Sequence, residues 1–262
     1  MADTAQSTSP PRRYVSRIAL SLGLVLTGVV LVVTIGVRDP APPPAVPVAA
    51  APSSFSVPPQ RPQSGGAAPR AGLAAPPDRP TESDQAELDA WATRVAGKTQ
   101  LSARVLAAYG RAEMWMRRQK PACHLSWSTL AGIGHLATPS LTVSPAGDVA
   151  PPIIGAAVPG PDTDAGKLDG DRKADHELGP LHFTPATWAK YAERANGDGK
   201  PANPQNLDDA AFTAARYLCS GGDDLGTPSG WWRAMLFYNA SVDYVQGVFS
   251  AADSYAAASV EQ

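Results

Sequence analysis

From Ile18 to Val37 the chain reads IALSLGLVLTGVVLVVTIGV, without one charged residue. A run of about 20 apolar residues is the length that crosses a hydrocarbon core, so it is expected to be a transmembrane helix. It has no polar face, which argues against a core helix. Arg12, Arg13 and Arg17 precede it, and Arg38 is the only basic residue close behind. That bias predicts a short cytoplasmic tail at 1–17, a single-pass anchor at 18–37 and a C-terminal part outside the cytoplasm. A cleaved signal peptide is the rival reading. Its apolar region is usually shorter, about 7–15 residues, but PVAAAPS (47–53) offers a small-residue cleavage site.

Residues 38–80 are rich in Pro, Ala and Ser and lack a periodic apolar pattern. Such a composition buries too little surface to offset chain entropy, so a disordered or polyproline-like linker is expected. At about 3.1 Å per residue, about 40 residues would reach roughly 120 Å, a tether holding a domain off a membrane. The net charge of -2 and the absence of a basic stripe on any predicted helix give no support for a nucleic-acid partner. The two cysteines, Cys123 and Cys219, follow the apolar run. In an exported domain they can form a disulfide. No CxxC or HxxxH spacing accompanies them, which weakens a metal reading.

From about Thr81 to Ala257 the pattern is helical, and the fold class is mostly α. Leu88, Trp91 and Val95 share one face after Asp84, with Gly97 as a stop. Val105, Tyr109, Ala112 and Met116 stripe a helix from Ser102 to Gln119, and Pro121 lies beyond it. A third helix spans Ser126 to about Ala137. Thr138-Pro139 ends it, because a residue before proline is pushed out of the helical region. No convincing element follows from Thr138 to Leu178, and a loop that long is often functional. Thr184-Pro185 and Thr227-Pro228 are helix starts. Further helices run from about Asp208 to Leu218 and from Ser241 to Ala257, leaving 258–262 as a tail. No strand alternation of any length is visible.

Five pieces occur in a fixed order: LAGIGHL (130–136), DTDAGKLDGD (162–171), LGPLHFTPATW (178–188), NPQNLDDAAFTAARYLC (203–219) and GWWRAMLFYNASVDYV (230–245). Together they resemble the soluble lytic murein transglycosylase family of bacterial cell-wall enzymes, over roughly Ser102 to Tyr255. The resemblance implies a lysozyme-like helical domain. It also implies contact with peptidoglycan glycan strands, whose MurNAc–GlcNAc bonds the family cleaves to anhydro products. In that family one glutamate at the end of a core helix protonates the leaving oxygen and then acts as base for the muramyl 6-hydroxyl. Glycosidases usually need two carboxylates. The single one must stay protonated near neutral pH, which requires a raised pKa.

Here the chain departs from the family. The usual segment reads G-I-G-R-[VI]-E-S, and the corresponding run is Gly132-Ile133-Gly134-His135-Leu136-Ala137-Thr138. The acid position is therefore Ala137, whose methyl group transfers no proton. Glu177 is the candidate substitute, against a plain role as a surface-loop carboxylate. His182 stands where the family favours a glutamine that lines the sugar groove. Tyr238 and Asn239 match a family Tyr-Asn pair near the scissile bond. For these two, a core tyrosine and a helix-ending asparagine are equally good readings. His135 reads as a structural histidine, and the loop aspartates as turn formers.

The stretch ANGDGKPANPQNLDD (195–209) is similar to a calcium loop, with Asn196, Asp198, Asn203 and Asp208 as candidate ligands. Its first ligand position holds the cationic Arg194, so a plain turn serves as well and no cofactor is required. Three functions compete. One is an anchored homologue that holds glycan strands with cleavage lost or greatly reduced. The others are an active lytic transglycosylase, and a structural envelope scaffold that binds no glycan.

Overall fold

The computed structural model describes residues 55–71 and 84–260. The expected tail at 1–17, the expected anchor at 18–37 and much of the Pro/Ala-rich stretch lie outside the described residues. Among the described residues no helix is long and apolar enough to cross a membrane.

The described chain is mostly α. Its helices are α1 (Asp84–Thr99), α2 (Ala103–Gln119), α3 (Trp127–Ala137), α4 (Pro185–Tyr191), α5 (Leu207–Leu218), α6 (Pro228–Tyr238) and α7 (Val242–Val260). Ser102, Ser126, Thr184, Asn206 and Thr227 each precede a helix and accept a backbone N–H from its first turn. These bonds satisfy donors that a helix start leaves unpaired. α1 runs past Gly97 to Thr99, which is buried and donates its hydroxyl to the Val95 carbonyl. Burying Thr99 outweighs the weak helix propensity of one glycine. α7 likewise extends through the first residues of the expected tail, to Val260.

α3 packs against α7 and α2. A side chain at Gly132 would meet the Val248 carbonyl at 2.7 Å, and one at Gly134 would strike the Tyr109 hydroxyl. Gly132 therefore lets α3 approach the backbone of α7, and Gly134 makes room for the Tyr109 side chain of α2. Around it the core holds Trp127, Trp231, Trp232, Leu106, Leu130 and Leu207, all nearly or fully inaccessible. Cys123 and Cys219 are joined by a disulfide that links a short 3₁₀ turn before α3 to the end of α5.

Two parts of the architecture differ from expectation. The long loop contains a small antiparallel sheet, β1 (Ile154–Ala157) with β2 (His176–Leu178), pairing Ile154 with Leu178 and Ala157 with His176. The strands hold only four and three residues, too few to show an alternating pattern.

The second difference is at 55–71, inside the expected linker. This stretch lies on the helical domain as a strap. Phe55 stacks on Tyr255 with ring centroids 5.0 Å apart. Trp232 Nε1 donates to the Ala67 carbonyl, and Gln246 Nε2 to the Pro62 carbonyl. Asp253 of α7 accepts the backbone N–H and the guanidinium of Arg70 and the amide of Gln60. A sequence too poor in apolar residues to fold alone is held here by polar contacts to α6 and α7 and by a few apolar ones, Phe55 and Val57 among them.

Candidate functional site

The end of α3 and the turn 178–183 face each other. Thr138 closes the helix with its N–H on the Gly134 carbonyl, and its hydroxyl donates to the Pro180 carbonyl at 3.3 Å. Ala137, half-buried, is thereby held beside the turn. The turn is closed by two backbone bonds between Leu178 and Phe183 and by the His182 N–H on the Gly179 carbonyl. Gly179 has φ 68°, and a side chain there would collide with the Pro204 carbonyl. This position thus needs glycine twice over. His182 has φ 55°, a left-handed conformation that non-glycine residues seldom adopt.

Tyr238, at the end of α6, donates its hydroxyl to the Leu181 carbonyl at 2.7 Å. Its ring touches Phe183 and Tyr217. Glu177, at the other end of the turn, accepts from His182 Nδ1 at 2.9 Å. Tyr238 and Tyr244 have phenols pushed well above their ordinary range, first by burial, with the Glu177 carboxylate adding to both. Gly155 of β1 leaves room for the Glu177 side chain.

Glu177, His182 and Tyr238 thus meet at one turn, and Thr138, next to Ala137, bonds to the same turn. Asn239 serves a different purpose: its Oδ1 accepts the Ser241 N–H at 2.9 Å, capping the step from α6 to α7. His135 shares a hydrogen bond between Nδ1 and the Tyr255 hydroxyl at 2.9 Å, and burial lowers its pKa. It is neutral near pH 7 and structural in its contacts. A pocket of about 330 Å³, lined in part by Tyr109, Gly134, Thr138 and Leu141, opens beside the end of α3. Neither Glu177, His182 nor Tyr238 lines it.

The proposed calcium ligands are engaged separately. Asp198 makes a two-pronged ion pair with Arg194, which holds its carboxyl well below the usual range. Asp208 instead pairs with Arg104 and Arg111 of α2. Asn203 Oδ1 accepts the Gln205 N–H, and Asn196 is exposed. The organising residue is Asp209, which the sequence reading missed. Fully buried, it accepts from the N–H groups of Ala195 and Asn203 and from Arg194 Nη1. The guanidinium of Arg194 thus sits between Asp198 and Asp209, as a bound cation would.

On the long loop, the carboxylates of Asp162, Asp164 and Asp175 lie within 4.8 Å of one another, the kind of group that could hold a cation. Each already accepts loop donors. Asp162 takes the N–H of Asp164 and Gly166, Asp164 that of Lys167 and Leu168, and Asp175 both donors of Thr163. Turn chemistry accounts for these acids. Compared with known proteins, the chain matches no family model, no curated protein and no solved structure.

Proposed function

We propose that this chain is a membrane-anchored, lytic-transglycosylase-like protein of the bacterial envelope that engages peptidoglycan glycan strands, with cleavage lost or greatly reduced. The reading rests on the resemblance of the five ordered segments. One observation carries it further. The helix end that would bear the acid carries Ala137, while the turn that Thr138 touches contains His182 and is bonded by Tyr238. Loss of the proton donor alone removes a factor of about 10²–10⁴ in rate. The disulfide agrees with export, since such bonds persist in oxidising compartments. The run at 18–37 supplies the anchor in this reading.

A second reading is favoured by the Glu177–His182 pair at 2.9 Å. A carboxylate that orients an imidazole is a workable acid–base unit, and it would leave an active lytic transglycosylase.

The test uses the full chain in mild detergent, incubated with purified peptidoglycan. Co-sedimentation reports binding, and mass spectrometry reports anhydro-muropeptides. The proposal expects sedimentation without turnover, and Ala137→Glu should gain detectable anhydro product. Turnover by the native chain that His182→Ala abolishes would establish the second reading instead. A chain that neither sediments nor turns over would be a scaffold without glycan contact.

A further inference from the structure

The strap at 55–71 does more than cover α7. Between it, the end of α3 and the start of α7 lies a pocket of about 450 Å³. This is within the roughly 300–1,000 Å³ of small-molecule sites. Its apolar wall includes Val57 and Pro59 from the strap and Leu136 from α3, which is 39% exposed. Its polar lining includes His135, Gln60, Gln246 and Ser250 and two charged side chains, Arg61 from the strap and Asp243 from the first turn of α7. Both charged side chains are exposed. Among the described residues neither makes an ion pair, with the other or with any third group.

That combination is selective. A pocket with one sign of charge would suit an anion or a cation. Opposite charges in contact would neutralise each other and leave nothing to recognise. Here a cation and an anion line one pocket without pairing, with aliphatic surface beside them. The complementary ligand carries both charges on an aliphatic frame.

We propose that this pocket binds a short peptide bearing a free carboxylate and a free ammonium. The carboxylate takes the Arg61 guanidinium, whose paired N–H groups match it. The ammonium takes Asp243, and the peptide's side-chain carbons lie on Val57, Pro59 and Leu136. Leu136 immediately precedes Ala137. The ligand is a released peptide with both ends free, since a peptide joined to a strand through its amino end carries no terminal ammonium for Asp243.

The experiment titrates the full chain in mild detergent with three probes: tri-alanine with free termini, its N-acetylated form and its C-terminal amide. Peptide-free glycan strands are measured in parallel by co-sedimentation. Binding of free tri-alanine should weaken about tenfold when either terminus is blocked, a loss of roughly 1.4 kcal/mol. Arg61→Ala and Asp243→Asn should each weaken it by a similar factor, without changing glycan sedimentation. Both positions are exposed and unpaired, so these variants should fold normally.

Equal binding of the three probes, no binding of free tri-alanine, or unchanged binding by both variants overturns the proposal, whatever the glycan strands do. Selective tripeptide binding without glycan binding supports the pocket and removes the glycan reading instead.

Discussion

At the residue scale the site depends on backbone groups that tolerate no substitute. Gly179 combines a left-handed φ of 68° with a carbonyl from Pro204 where a side chain would stand. Gly179→Ala is expected to cost at least about 2 kcal/mol, since a left-handed non-glycine residue alone costs about 1–3. Glycan sedimentation should fall with it, because Thr138 and Tyr238 both bond to carbonyls of this turn. A urea melt checks the first effect, and co-sedimentation below the unfolding range checks the second. Asp209 is a different kind of anchor. Its buried carboxylate serves two backbone N–H groups and Arg194 at once. Asp209→Ala leaves two backbone N–H groups without their partner, and an unsatisfied buried donor typically costs about 1–3 kcal/mol, while Arg194 keeps its pair with Asp198. The variant should melt at a correspondingly lower urea concentration. Added calcium should not restore it, because the Arg194 guanidinium remains in the loop.

At the element scale the strap is held by a titratable latch. Burial raises the Asp253 carboxyl, but hydrogen bonds from the Arg70 N–H, its guanidinium and Gln60 outweigh that and leave it below its ordinary value. A folded carboxyl below its unfolded value contributes fully above roughly pH 4, and the contribution is lost as pH falls through the folded value. The strap should therefore be firmly seated at neutral pH and loosen only in acid below about pH 4. Asp253→Asn should loosen it at neutral pH. Hydrogen exchange at Gln60 and Arg70, whose N–H groups bond to Ser250 and Asp253, reads both effects; equal protection in the variant and the native chain would contradict the latch. The helix starts at Ser102, Ser126, Thr184 and Thr227 were legible because their signals are local: a Ser or Thr followed by a helical stripe. The strap was not, because the partners of Gln60 and Arg70 lie 183 to 193 residues away and its composition resembles an unfolded linker. The site was legible in part. The order of segments put His182 and Tyr238 among the candidates, but the pairing of Glu177 with His182 depends on the fold of the turn between them, which includes two left-handed residues. Asp209 was passed over for its neighbour Asp208, since two adjacent acids at a helix start give no hint of which is buried.

At the scale of the whole molecule, one covalent link spans most of the machinery. Cys123 and Cys219 are 96 residues apart in sequence. The segment between them contains α3, the small sheet, the turn 178–183 and α5. Both sides of the candidate site therefore belong to one closed loop. Closing about 100 residues removes chain entropy worth up to about 4–5 kcal/mol from the unfolded state, less any native strain. Removing a native disulfide typically costs about 2–5 kcal/mol. A 150–250-residue domain shifts by about 2–4 °C in Tm per kcal/mol, so a decrease of roughly 10 °C is expected on reduction. Replacing both cysteines by serine should give the same decrease without reductant. Thermal melts of the native, reduced and doubly substituted chains make the comparison. Glycan sedimentation well below the melting range should stay unchanged, because the bond acts mainly on the unfolded chain. A melt that is unmoved by reduction would mean that the packing of α3 against α2 and α7 already fixes the loop. The bond would then add nothing to stability, and its agreement with export would carry correspondingly less weight.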